Sequence, residues 1–291
     1  DKDVKVVTNR GNYRARALAL ASGFGSPLVR QLGFPPPADF VSAVQAVVQT
    51  SGVDGVEVHV GSDVAPGFFS WLVPTLPDTA LVGLLARRSA REYLSHFIQR
   101  LKDDGKVIDV IQEPACWGVP LRPVKRTYQD RALVIGDAAG QVKPTTGGGI
   151  YYSLLASEMA VNVLDKALET DDLSAQNLSR YQKHWKTLLS VELETGYSAR
   201  RLFEFLSDQQ ITALVKQADC NDICGELDNE SSPGFDWHSG IIHKVMAHPA
   251  MGSVLRIMNP MLAKIAHRQT MDCDVLARQS HYTDPLAKSL I

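Results

Sequence analysis

Residues 133–164 change from a solid apolar run to a spaced one. Leu133, Val134 and Ile135 are consecutive apolar residues, the pattern of a short strand covered on both faces. Gly136 lets the chain turn sharply, and Asp137 follows it. Ile150, Leu154, Leu155, Met159, Val163 and Leu164 then recur at helical spacing, leaving Ser157, Glu158, Asn162 and Asp165 for other faces. Between strand and helix, Gly147, Gly148 and Gly149 remove every Cβ where the helix begins. Main-chain N–H groups at the positive end of the helix dipole are thereby opened to a flat ring or a phosphate.

Elsewhere the pattern separates into a strand-rich first half and a helical second half. Residues 5–8 and 13–21 read as two strands joined through Asn9-Arg10-Gly11-Asn12. The runs 40–49, 56–60, 68–73 and 80–85, punctuated by Gly, Asp and Pro, predict an antiparallel sheet. A helix over 89–102 places Tyr93, Phe97 and Leu101 on one face, and a strand is expected at 107–111. Helices are predicted at 173–189, 191–206 and 208–215, followed by a polar surface loop at 220–240. Five of the six methionines fall between Met246 and Met271, alongside Val254, Leu255, Ile257, Leu262 and Ile265. Ordinary helix packing and an adaptable apolar surface both fit that pattern.

The segment GDAAGQVKPTTGGGI at 136–150 resembles the second flavin-binding motif, GDAAGxxxPxxGxGI, of the geranylgeranyl reductase family, within the hydroxybenzoate-hydroxylase-like FAD enzymes. Gly136, Asp137, Ala138, Ala139, Gly140, Pro144, Gly147, Gly149 and Ile150 are all in place. The resemblance implies that Asp137 accepts a hydrogen bond from a ribityl hydroxyl of FAD and that residues 147–149, Gly148 included, present amides to the flavin ring. A second segment, ASGFGSPLVRQLG at 21–33, resembles the family's ADGxxSxVRxxLG at Ala21, Gly23, Ser26, Val29, Arg30 and Gly33. Ser22 stands where the family usually has Asp, so a hydroxyl without charge replaces a carboxylate there. Gly23 and Gly25 also imitate the start of a dinucleotide fingerprint. Leu28 breaks that pattern, and the expected ribose-binding acid is missing downstream.

The segment PGFFSWLVP at 66–74 resembles PGGYxWxFP, which lines the lipid pocket in the same family. Pro66, Gly67, Trp71 and Pro74 match, while Phe68 replaces Gly, Phe69 replaces Tyr and Val73 replaces Phe. By resemblance, Pro66, Phe69, Trp71 and Pro74 are the candidate substrate contacts, in a pocket that stays apolar and loses a phenol hydroxyl. From the residues alone, Phe69 and Trp71 alternating onto one strand face also suit a plain core.

The fold class expected is α/β, in an α+β mixture: an incomplete FAD-binding domain with an inserted antiparallel β-sheet substrate domain and a C-terminal helical lobe. The boundaries expected are 1–37 and 119–170 for the FAD-binding parts, 38–118 for the substrate sheet and 171–291 for the helical region. The family's first motif, GxGxxG for the ADP half of FAD, would lie well upstream of Asp1, so the chain is expected to be a fragment beginning inside the FAD domain. The function implied is an FAD-dependent oxidoreductase acting on CH–CH bonds, reducing C=C bonds of an isoprenoid chain on a lipid or pigment precursor. The reductant, NADPH or another, is left open. Two alternatives stand beside it: an aromatic monooxygenase or halogenase on the same scaffold, and a flavin-free lipid-binding fragment.

Composition narrows the partners. With 291 residues and 45% hydrophobic content the chain can bury one large core or two moderate ones. A formal net charge of -2 and the lack of a long basic run argue against nucleic acid. No apolar run approaches the roughly 20 residues of a membrane span, and four cysteines do not make a disulfide framework. A cytoplasmic protein with a lipid-like substrate is expected, with peripheral membrane contact left open. Cys220 and Cys224 with His238, His243 and His248 do not reproduce a familiar zinc spacing, so no metal is expected. No GxSxG elbow supports hydrolysis. Tyr151, Tyr152 and Cys116 lie near the motifs as proton-donor candidates, and no catalytic residue is assigned.

Overall fold

Alternating apolar residues build the largest sheet, with one of its faces sealed by a helix. Five antiparallel strands, β4 (Phe40–Thr50), β5 (Glu57–Val60), β6 (Phe69–Leu76), β7 (Thr79–Ala86) and β8 (Val107–Pro120), pair in the order β5-β6-β7-β4-β8. Val44, Ala46 and Val48 of β4, Leu72 of β6 and Ala80, Val82 and Leu84 of β7 are buried together with Leu94, Phe97, Ile98 and Leu101 of helix α2 (Ala90–Asp103). Each large aliphatic side chain buried this way contributes roughly 1.5–3 kcal/mol. The computed structural model describes residues 3–220 and 235–248.

The predicted runs at 40–49, 56–60, 68–73 and 80–85 correspond to β4–β7, and the helix at 89–102 to α2. The last strand is longer than expected, because β8 continues through Cys116 and Trp117 along nearly the whole of β4. In α2 the fully buried stripe is Leu94, Phe97, Ile98 and Leu101, with Tyr93 only partly buried.

A smaller sheet carries the nucleotide-like corner. Strand β3 (Leu18–Leu20) runs parallel to β10 (Ala132–Val134), which pairs antiparallel with β9 (Tyr128–Gln129). The strand expected over 13–21 is two strands instead. β1 (Val4–Thr8) and β2 (Gly11–Ala15) form a hairpin, and the chain then leaves it to join β10. Arg16 anchors that departure, donating to Leu168 O at 2.8 Å and Asp171 Oδ1 at 2.6 Å, while its own carbonyl accepts from Arg131.

Helix α1 (Pro27–Gln31) follows β3, and helix α3 (Ile150–Glu169) packs on α4 (Ala175–Glu204). The helices expected at 173–189 and 191–206 are one. The buried stripe runs unbroken past the expected break, from Trp185 and Leu189 to Leu193 and Leu202, and Ser190 donates to Lys186 O within it. On α3 the buried stripe is Tyr152, Leu155, Ala156, Ala160, Val163 and Ala167, whereas Ile150 and Leu154 face outward. Half of that packed face is alanine, which lets the helix approach its neighbours closely between the larger Tyr152, Leu155 and Val163.

Residues 1–208 cluster as one unit and 209–291 as another. Helix α5 (Asp208–Cys220) extends beyond the predicted 208–215, and in the second unit α6 (Ser239–Ala247) is also described. The methionine-rich stretch from Met251 onward, Cys224 and most of the polar 220–240 segment lie outside the described residues. Among the described residues, no helix is long and apolar enough to cross a membrane. In the same residues, no group of three His, Cys, Asp or Glu is placed to hold a metal ion.

Candidate functional site

Strands β3 and β10 are parallel neighbours, so the segments that follow them leave the sheet at the same end. Ligands of open α/β sheets bind beyond the carboxyl ends of such strands. Ser22 and Gly23 leave from β3, Gly136 and Asp137 from β10, and Ile135 N donates to Leu20 O at 2.9 Å across the pair. The two segments singled out for cofactor binding are thus brought side by side.

A buried network fixes the Gly136 turn. Gly136 N donates to Gln141 Oε1 at 2.8 Å, Gln141 Nε2 to Tyr181 OH at 2.9 Å, and Tyr181 OH to Val134 O at 3.1 Å. Burial pushes the Tyr181 phenol well above its ordinary range, so it remains a neutral donor. Gly136 adopts φ 68°, and Gly140, at φ 73°, has no room for a side chain because Arg122 O and Pro123 Cα crowd it. Ala138 is buried in a cluster with Leu20, Val29 and Phe34, so it packs beneath the turn and presents no contact surface of its own.

The glycine loop closes on itself. Lys143 N donates to Gly148 O at 3.0 Å and Gly147 N to Lys143 O at 2.9 Å, while Pro144 rests against Gly196 of α4. The amide of Gly147 is therefore committed inside the loop, and that of Gly148 leans on Thr146 Oγ1 at 3.4 Å. Among the described residues the Gly149 amide donates to no protein acceptor. Ile150 starts α3 with its side chain facing outward.

Asp137 sits half-buried beside Gly149, its Oδ1 2.5 Å from where a β-carbon on that glycine would lie. Burial raises its pKa, and no hydrogen bond to its carboxylate is present among the described residues. A carboxylate in need of donors, next to a free amide and a cradle that a Cβ would fill, fits a polyhydroxylated ligand carrying a flat ring.

The loop also meets the large sheet. A β-carbon on Gly147 would lie 3.4 Å from Val119 Cγ1 and 3.7 Å from Leu85 Cδ1. Leu85 belongs to the sheet face turned away from α2, and the strand registers place Phe69, Trp71, Gly83 and Gln45 on that face with it. The Phe69 and Trp71 rings meet tilted at 52° with their centroids 5.9 Å apart, and Trp71 Nε1 donates to Gln45 Oε1 at 3.2 Å. Val58 and Trp117, on the same face, are exposed. This face is apolar and open, and it begins at the glycine loop.

Other predicted residues fall elsewhere. Pro74 alternates with Ser70 and Leu72 onto the α2 side, and Pro66 sits in the turn before β6, where neighbouring Gly67 abuts Glu204. Cys116 pairs with Val44 and so projects to the side opposite the Trp71 row. Its nearness to the motif in sequence does not bring it to the open face. Tyr152 is buried and Tyr151 half-buried in the first turn of α3. Sequence reasoning missed Leu85, Val119, Gln45 and Gly83, whose place at the site depends on long-range register.

No family model matches the chain. It is 32% identical over 214 residues to a digeranylgeranylglycerophospholipid reductase of Methanothermobacter thermautotrophicus, covering 70% of this chain and 54% of the relative. The chain belongs to the geranylgeranyl reductase family. It spans about half the length of that curated relative. Its fold matches a geranylgeranyl bacteriochlorophyll reductase-like protein from Thermoplasma acidophilum, with TM-score 0.67 and 22% identity over 88% of this chain and 62% of the other. A halogenase solved in complex with FAD shares the fold at TM-score 0.56 and 12% identity, covering 99% of this chain and 64% of its own.

Proposed function

We propose that this chain carries the flavin-ring side of an FAD site together with the substrate sheet of an oxidoreductase, and that it saturates C=C bonds in the isoprenoid chain of a lipid. One observation carries the reading: the glycine loop beside Asp137 touches Leu85 and Val119, at the start of the apolar face that holds Phe69 and Trp71. When bound and reduced by an external donor such as NADPH, the flavin would supply a hydride to one alkene carbon, with a proton from an acid or water completing the other. Asp137 would accept from the ribityl hydroxyls and the Gly149 amide would face the ring, with Ser22 and Gly23 at the neighbouring strand end. The open face would hold the chain flat and exclude water, aligning one double bond with the ring. The curated relative's name supports a glycerophospholipid carrying prenyl chains as the substrate class, and the electron source, NADPH or another reductant, is left open.

The purified protein is expected to bind FAD with a shifted visible absorbance band, and Asp137→Ala is expected to abolish that binding. Retention of FAD by Asp137→Ala at wild-type affinity would overturn the assigned role. The halogenase neighbour keeps a second reading in view. An oxygenated or halogenated product formed only in air would favour it, whereas an anaerobic product enriched in hydrogen supports the reductase.

A further inference from the structure

The indole of Trp71 lies across two strands beyond its own. Its Cε2 and Cζ2 atoms fill the space a β-carbon on Gly83 would need, and its Nε1 reaches Gln45 Oε1 at 3.2 Å. Trp71 pairs with Gly83, and Gly83 with Gln45, so the ring bridges from β6 over β7 to an acceptor on β4. Gly83 sets how low the indole lies, and Gln45 sets how far it reaches. The next row of this face runs through Leu85 and Ala43 to Trp117, and Leu85 meets the glycine loop together with Val119 of the row beyond. Rows on one face are spaced about 6.5–7 Å along a strand. The indole is therefore a bar one row out from the loop.

We propose that Gly83 and Gln45 are positioning residues that hold Trp71 as a gauge of isoprenoid chain length. The inference rests on the isoprenoid reading of the same face. A chain that runs from a double bond at the glycine loop along β7 passes over the indole, and the height of the ring decides how much chain beyond it stays in contact. A longer chain gains from a low, fixed ring. A raised or swinging ring cuts contacts beyond the bar and leaves those near the loop unchanged, so long and short chains are affected unequally.

The test measures equilibrium binding of farnesol and geranylgeraniol in detergent micelles to the full chain, to Gln45→Leu and Gly83→Ala, and to the same changes in a Trp71→Phe background. Gln45→Leu adds no atom near Val44 O, where a Cβ on Gly83 would intrude, so it reports even if Gly83→Ala fails to fold. The preference for geranylgeraniol over farnesol is expected to shift roughly tenfold in the single variants, about the worth of one methylene contact. In the Trp71→Phe background it should stay within about twofold. An unchanged preference in folded single variants, or an equal shift without Trp71, would overturn the gauge while leaving the isoprenoid reading intact. Failure of the wild type to bind either alcohol would overturn both.

Discussion

Oδ1 of Asp137 lies 2.5 Å from the place a β-carbon would occupy on Gly149, so the acid and the first residue of α3's cap compete for one small space. Gly149→Ala should displace the carboxylate and tilt the helix start. FAD affinity is expected to fall by at least roughly tenfold, the worth of one charge-assisted hydrogen bond, as read by flavin fluorescence titration. A Gly149→Ala protein that binds FAD as tightly as wild type would show that the two residues do not share a ligand.

Two aspartates should give opposite pH signatures. Burial raises Asp137, so its ionised form is disfavoured in the fold; stability is full below the ordinary carboxylate range and declines as pH rises through its elevated pKa. For Asp39, burial works upward, yet hydrogen bonds from Arg87 and Tyr197 hold it below the ordinary range. Its contribution is present above the unfolded-state pKa and is lost as pH falls through the folded one. In urea titrations across pH, Asp137→Asn should gain on wild type toward neutrality, and Asp39→Asn should lose most there and least in acid. Parallel curves for the two variants would contradict these environments.

The corner at 133–150 was legible in sequence because strand, turn and helix are contiguous there, and each uses a local signal: the apolar run, the glycines and the helical period. The sheet of 40–85 was legible for the same reason, since its alternation is read one strand at a time. What was not legible depends on register. That Trp71 lies on Gly83 and reaches Gln45, or that Leu85 and Val119 meet Gly147, follows from pairing between segments far apart in sequence. The same limit misplaced Cys116, near the motif along the chain and on the wrong side of β8. The continuity of α4 through Ser190 was not legible because it rests on tertiary packing of the helix against α3 and β9.

Tyr181 ties helix α4 to the strand that ends in the motif. Tyr181→Phe removes its donation to Val134 O and leaves Gln141 short of a partner, in a buried setting. A loss of about 1–3 kcal/mol in unfolding free energy is expected from urea melts. FAD should also dissociate faster, since Gln141 holds the Gly136 amide. Unchanged stability and unchanged dissociation would separate the network from the site.

Gly140 has a positive φ of 73° and no room above it, with Arg122 O 2.5 Å from a β-carbon's position. Gly140→Ala should destabilise by roughly 1–3 kcal/mol through strain and backbone displacement. The corresponding change at Gly105, where φ is 72° and nothing lies within 4 Å, carries strain without a clash and should cost less. Equal midpoint shifts in thermal melts of the two variants would deny the close approach at Gly140.

The shared site of loop and sheet is tested most directly by mass. The protein is loaded with FAD, reduced by dithionite without air, and given a geranylgeranyl glycerophospholipid whose mass is then read. A gain of two hydrogen atoms for each saturated double bond, absent in Asp137→Ala, is the expected result. Unaltered lipid mass from protein that holds reduced flavin would contradict the reductase assignment.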